Sequence, residues 1–182
     1  MLFTAAVFTG LYLRFDFTGA YAVNGIFSIC LITAGIVDLR LRVLPNIINA
    51  AGVVLAFLIS LIRGAAGPSA SPIVDFFAGG AACGVPLLLI AIVSKRGMGM
   101  GDVKFAALIG TFLGVYSGLC ALWLSIVMGG VYGAVLIILK KATRKTPVPF
   151  GPFMVLGALV MVFFGDFIKP LLWEAYHVRA RS

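Results

Sequence analysis

Charge is what this chain most lacks. Only 11% of its 182 residues are Asp, Glu, Lys or Arg, against about a quarter in a soluble domain. Hydrophobic residues make up 62%, and mean hydropathy is +1.15. So little polar surface cannot cover a chain of this size in water, so its solvent is largely lipid. Histidine occurs once, at His177 in the polar tail, which argues against a His-based triad or metal site. The three cysteines, Cys30, Cys83 and Cys120, stand apart inside apolar runs. There is no CxxC pair, so neither a zinc site nor a disulfide framework is indicated, and the thiols read as small packing residues. Acidic residues number six, few enough to weigh one by one.

What is abundant is uncharged length. Runs free of charge cover 17–37, 43–62, 76–94, 105–139 and 146–165. The fourth holds 35 residues and, at ~1.5 Å per residue, would overshoot a ~30 Å hydrocarbon core. It predicts two helices joined by a tight turn near Ser117 and Gly118. Residues 2–13 form a shorter run, suited to a thin first span, an interfacial helix or a signal-like segment. No basic residue precedes it, which disfavours the signal. The expected fold is an all-α polytopic bundle of six transmembrane helices, or seven with the first run, in a single domain over 1–182. Segment 63–72, rich in Gly, Ser, Ala and Pro, reads as a loop on the outer face. No internal repeat supports an inverted-repeat transporter. Gly110, Gly114 and Gly118 form a stripe at four-residue spacing, as do Gly129 and Gly133, and both predict close helix packing.

Net charge is +8, but the basic residues flank apolar runs rather than interleave with aromatics. They therefore set topology and give no sign of nucleic-acid binding. With 40–45 in the cytosol, Arg40, Arg42, Lys95, Arg96, Lys104, Lys140, Lys141, Arg144 and Lys145 share that side, nine of the fourteen. Arg14, Arg63, Lys169, Arg179 and Arg181 take the other, together with the C-terminus.

The same topology sorts the acids. Asp16, Asp75, Asp166 and Glu174 fall on the outer face, and only Asp38 and Asp102 share the cytosolic side. Two carboxylates far apart in sequence at one membrane depth suit peptide hydrolysis without a metal. One takes a proton from water, while the other, protonated, polarises the scissile carbonyl and then helps the amine leave. Neighbouring carboxyls in a low dielectric do not both ionise easily, so one keeps its proton and they titrate as a pair. An intramembrane acid is a functional candidate by default. It can equally be paired structurally with a neighbour such as Arg40, Arg42 or Lys104.

Local sequence favours the first reading. Asp38 opens Asp-Leu-Arg-Leu-Arg-Val-Leu-Pro45-Asn46, and Asp102 follows Gly97-Met-Gly99-Met-Gly101 and precedes Val-Lys104. The glycines permit an open backbone that a substrate strand can approach. Pro45 begins a helix where its missing N–H does no harm. A third stretch, Val148-Pro149-Phe150-Gly151-Pro152-Phe153, opens the last apolar run. Together the three stretches resemble the prepilin peptidases, or type IV leader peptidases, among the GxGD aspartyl proteases, in span order and spacing along essentially the whole chain. The resemblance implies Asp38 and Asp102 as the catalytic pair of a multi-pass enzyme of the inner (cytoplasmic) membrane. The implied substrate is a prepilin or pseudopilin precursor, its short basic leader cut at the cytosolic membrane face, typically after a glycine preceding the hydrophobic stalk. Longer members carry an N-terminal cytosolic region, often with paired cysteines, and also methylate the new N-terminus. This chain starts at an apolar run and resembles the short, peptidase-only form serving tight-adherence pili or archaeal flagellin-like systems. Neither methyl transfer nor a cofactor is expected.

Lys104 is a candidate for biasing the dyad or orienting a loop, and equally a topological anchor. Asn46 either hydrogen-bonds near the site or caps a helix, with capping favoured. Pro149, Gly151 and Pro152 either shape a substrate groove or simply begin a helix. Two other functions fit an apolar chain with two acids. One is a small transporter or channel binding protons or cations at Asp38 and Asp102, which would set them near mid-span. The other is a catalytically idle assembly factor. A presenilin-like enzyme is disfavoured because its Tyr-Asp and Pro-Ala-Leu motifs are absent around the dyad.

Overall fold

The computed structural model describes residues 2–41, 44–66, 71–93, 99–141 and 149–179, without the side chains of 66, 71 and 169–179. Among the described residues all regular structure is helical: α1 (Leu2–Phe15), α2 (Gly19–Leu41), α3 (Asn46–Ala66), α4 (Ser71–Val93), α5 (Met100–Ile138) and α6 (Gly151–Arg179). Five of these, α2 to α6, are long and apolar enough to cross a membrane, which makes this a multi-pass membrane protein. Segment 63–72 is narrower as a connection than its composition suggests, since α3 continues to Ala66 and α4 begins at Ser71.

The 14 residues of α1 reach only ~21 Å, short of a full crossing. The helix still belongs to the bundle. Val7 and Leu11 are buried, and a Cβ on Gly10 would come within 3.0 Å of the Phe163 ring. Arg14 Nη2 donates to Asp166 Oδ2 at 2.7 Å, so α1 runs alongside α6.

The 39-residue α5 is broken at Gly114, whose φ of 75° and ψ of 179° lie in a region essentially reserved for glycine. A Cβ on Gly118 would sit 3.1 Å from Gly110 Cα, whereas eight residues of straight helix separate two positions by ~12 Å. The chain therefore doubles back, and α5 is a hairpin of two arms, residues 100–113 and 115–138. Two helices were expected here from length alone. Their reversal falls at Gly114, not at Ser117 and Gly118, which are buried within the second arm.

The glycine stripes divide accordingly. A Cβ on either Gly79 or Gly110 would collide with the other's carbonyl oxygen, and one on Gly157 would collide with the Ala121 carbonyl. Helices α4 and α6 thus pack backbone to backbone against α5, as small residues allow in lipid. Gly118 would meet Cys83 Sγ at 2.7 Å, and Gly129 lies against the Phe150 and Phe153 rings at 3.4 Å. Gly114 and Gly133 do not follow the pattern, because a Cβ at either meets nothing within 4 Å. Gly114 is needed for its φ alone.

Pairwise contacts set the register. Helix α3 runs parallel to the first arm of α5, with Leu44 beside Gly101, Asn46 beside Lys104 and Gly52 beside Leu108. Helix α2 runs antiparallel to α6, with Gly35 against Val155 and Asp38 against Gly151. The C-terminus of α2 and the N-termini of α3, α5 and α6 consequently meet at one edge of the bundle.

Gly114→Ala is expected to cost about 1–3 kcal/mol, the usual penalty for a side chain in this backbone region. Gly133→Ala, in open helical surface, should match or exceed wild type, since alanine is the better helix former. Thermal unfolding in detergent measures both. Equal melting temperatures for Gly114→Ala and wild type would contradict the hairpin.

Candidate active site

Asp38 sits three residues before the end of α2, in its last turn, where the helix dipole disfavours a negative charge. It is only 5% exposed, and a buried carboxylate must find compensation. Compensation comes from α6. The Gly151 N–H donates to Asp38 Oδ2 at 3.0 Å, and the positive end of the α6 dipole faces the same oxygen. The local sequence accounts for this geometry. The Phe150 carbonyl accepts the N–H groups of Phe153 and Met154 at 3.1 and 3.2 Å, so the helix starts there. Pro152 lies in the first turn, where a missing N–H costs nothing. At Gly151 a Cβ would come within 2.6 Å of Asp38 Oδ2 and 3.0 Å of its Cβ and Cγ. Only glycine lets the two helices meet at this distance.

Asp102 is placed locally. It is the third residue of α5 after the N-cap Gly99. Its Oδ2 accepts the Gly99 N–H at 3.3 Å, and its own N–H donates to the Gly99 carbonyl at 3.1 Å. A carboxylate in the first turn also gains from the helix dipole. Half-buried, Asp102 lies within electrostatic reach of Asp38. Each acid thus rests at a helix N-terminus with one oxygen on a backbone N–H, and the two share one edge of the bundle within electrostatic reach.

The neighbours hold that edge together. A Cβ on Gly101 would come within 3.0 Å of Leu44 Cβ, so this glycine admits the chain's own 44–46 segment rather than an incoming strand. Gly99, at φ −75° and ψ 144°, has ordinary extended backbone. Lys104 Nζ donates to Asn46 Oδ1 at 2.9 Å. The Asn46 oxygen is therefore engaged by a cation on α5 instead of capping α3. Lys104 ties two helices and forms no ion pair with either aspartate among the described residues. The Pro45 carbonyl accepts the Asn49 N–H at 3.3 Å, which makes Pro45 the residue that opens α3. Pro149 and Pro152 flank the α6 start.

The other acids lie away from this edge. Asp166 pairs with Arg14, and Asp75 lies near Arg63 and Gly114 at the opposite end of the bundle. Val43, Gly97, Met98 and Val148 of the motifs, and Arg42, Lys95, Arg96, Arg144, Lys145 and Arg181 of the charge argument, lie outside the described residues; for Lys169, Glu174, His177 and Arg179 only backbone is described. No group of three or more His, Cys, Asp or Glu suited to a metal occurs among the described residues. Sequence reasoning missed two things. Gly151 was a candidate for shaping a groove, but its role as the donor to Asp38 comes through a backbone N–H, which carries no residue signature. Asn49, one turn into α3, is 3% exposed with both amide atoms unpartnered, and an asparagine inside an apolar run was the available signal.

An apolar groove of about 760 Å³ opens between α4 and the second arm of α5, near Trp123 and Tyr116. It shares Leu87, Ile90 and Ile126 with a smaller one of about 300 Å³ that reaches Gly130 and Phe150. Phe150, at the end of the smaller groove, directly precedes the glycine whose N–H holds Asp38.

Fold and site together define a multi-pass helical membrane protein with two carboxylates at one edge. Residues 25–134 match the sequence profile of the type IV leader peptidase family, a stretch that includes both aspartates. The prepilin leader peptidase/N-methyltransferase of Bacillus subtilis (strain 168) is 31% identical over 170 residues, 92% of this chain and 65% of that protein. The like-named proteins of Stutzerimonas stutzeri and Pseudomonas aeruginosa are 37% and 32% identical over 75 residues, 41% of this chain and 26% of each relative. The matches therefore span less than two thirds of these relatives' own length. No solved structure matches. The chain belongs to the type IV leader peptidase family.

Gly151→Ala should lower the melting temperature, because its Cβ must displace α6 from the buried Asp38; overpacking of this kind costs about 1–3 kcal/mol. Gly99→Ala, whose Cβ would make only a 3.5 Å contact with Asp102 Oδ2, should stay within about 0.5 kcal/mol of wild type. Equal losses in detergent melts would contradict the close contact of α2 and α6.

Proposed function

We propose that this protein is an aspartyl endopeptidase that removes the short basic leader of type IV prepilin-like precursors, with Asp38 and Asp102 as its catalytic pair. The observation that carries the reading is the meeting of these two carboxylates at one edge of an apolar bundle, each on a helix N-terminus, in a chain of this family. In the reaction one carboxylate takes a proton from water as its oxygen adds to the scissile carbonyl. The other, protonated, donates to the carbonyl oxygen, and the tetrahedral intermediate collapses as the amine leaves with a proton. Water is consumed, the acyl side becomes a carboxylic acid, and both aspartates return to their starting state.

The pair faces the cytosol of a cell membrane, on the side that gathers most of the basic residues. The ionised member of the pair supplies negative charge that suits a basic leader, and the apolar groove that reaches Phe150 suits the stalk helix that follows it. Such a stalk, lying along α4 and the second arm of α5, delivers its cytosolic end to Phe150 and the dyad. Names of the relatives that pair prepilin leader peptidase with N-methyltransferase support the precursor class.

Co-expression with a pilin-type precursor tests the reading. Wild type should cut at the leader boundary, while Asp38→Asn and Asp102→Asn, inserted at normal levels, should lose about 10²-fold or more, the usual contribution of a general acid or base. Normal cutting by either variant would sink the two-aspartate mechanism. Gly130→Leu tests the groove, since a side chain there meets nothing within 4 Å. Stability should hold while cleavage of full-length precursor slows several-fold; unchanged cleavage would move the stalk elsewhere.

A further inference from the structure

Asn49 is an anomaly in this bundle. Its side chain is 3% exposed, and neither Oδ1 nor Nδ2 meets a hydrogen-bond partner among the described residues. A buried amide left in that state carries an uncompensated desolvation penalty, and such groups in native proteins call for an explanation.

Its position supplies one. One turn nearer the edge on α3, Asn46 takes the Lys104 ammonium. One turn deeper, a Cβ on Gly52 would come within 2.8 Å of Leu108. Asn49 lies between these two contacts on the same face of α3, level with positions 104–108 of α5 and therefore just inside Asp102. In the α2–α3 hairpin, Asp38 stands three residues before the end of α2 at Leu41, and Asn49 three residues after the start of α3 at Asn46. The two are at equal depth. Asn49 thus lies level with Asp38 and about one turn inside Asp102, on the helix that packs against both α2 and α5.

We infer that Asn49 is a further catalytic residue, whose carboxamide holds the attacking water between Asp38 and Asp102. The inference rests on the peptidase reading above. An amide suits this task because it both donates and accepts, matching a neutral water, and because it adds no charge to the pair. A buried water needs two to four polar partners, which Asn49 and the two carboxylates together provide.

The experiment measures kcat, KM and melting temperature of the purified full chain in detergent, with a pilin-type precursor as substrate. Asn49→Leu removes two unpartnered polar groups at similar volume. If Asn49 were only a packing residue, that change would hold or raise the melting temperature and leave turnover alone. The expected result is an unchanged or higher melting temperature with kcat down roughly tenfold or more, the worth of one hydrogen bond made in the transition state, and little change in KM. Wild-type kcat in Asn49→Leu overturns the inference. Should that variant not accumulate, Asn49→Ser and Asn49→Ala make the comparison, since both truncate but only serine keeps a hydroxyl for water. Serine should turn over several-fold faster than alanine, and equal rates overturn the inference. Asp38→Asn runs in the same assay. If it is inactive while Asn49→Leu is normal, the peptidase reading stands and only the role of Asn49 falls. If wild type cleaves no precursor, both fall.

Discussion

The structure turns on one hydrogen bond, from the Gly151 N–H to Asp38 Oδ2. A carboxylate at the C-terminal end of an apolar helix is doubly unfavourable, buried from water and facing the negative end of its own dipole. The N-terminus of α6 corrects both, but only under strict conditions. The helix must begin at this depth, which Pro152 permits and the Phe150 carbonyl closes. It must carry no side chain at its first residue. It must also be pressed along α2, as the 2.9 Å approach of a Gly35 Cβ to Val155 would require. The register of α2 against α6 follows from these demands.

Asp102 reaches the same edge by another route. Its oxygen accepts a bond from Gly99 three residues away, so the acid travels with α5 and its position depends on where α5 begins. That start is held by Gly101 against Leu44 and by Lys104 on Asn46. The two acids are therefore inequivalent, one buried and set by a tertiary contact, the other half-exposed and set by a local one. Asymmetry of this kind is what drives the protons of a carboxylate pair apart into acid and base roles.

Much of this was legible in the sequence, for identifiable reasons. Charge gaps located α2, α3, α4, both arms of α5 and the start of α6, because lipid tolerates few charges and each span must exclude them. The sorting of Asp38 and Asp102 from the other acids needed only alternation of the spans. The turn at Gly114 was not legible, because Gly110, Gly114 and Gly118 are identical letters at identical spacing. Only φ distinguishes the one that reverses the chain from the two that pack. The bond from Gly151 joins residues 113 positions apart through a backbone group common to nearly every residue. Asn46 left two readings open for a related reason, since a side chain at a helix start suits capping as well as a bond near the site, and only the fold brings a lysine from another helix onto its oxygen.

The Gly114 hairpin raises a last physical question, how a helix can end inside a bilayer. The first arm has 14 residues and spans only ~21 Å of a ~30 Å core, so the turn falls short of a full crossing. Broken helices survive there only beside protein or a water-filled cavity. A cavity of about 220 Å³ adjoins Gly114, with Ser60, Arg63, Asp75 and Thr111 on its walls. Polar residues on three neighbouring helix segments thus meet where the chain reverses, while the hydroxyls of Ser60 and Thr111 bond back to carbonyls of their own helices at 2.9 and 2.7 Å. The reversal in turn lets one segment serve two ends. Its first arm carries Asp102 to the edge, and its second returns to pack Ala121, Ser125 and Gly129 against the helix whose first N–H holds Asp38. The polar cavity at the reversal and Asp102 at the opposite edge are thus the two ends of one arm, whose length Gly114 sets.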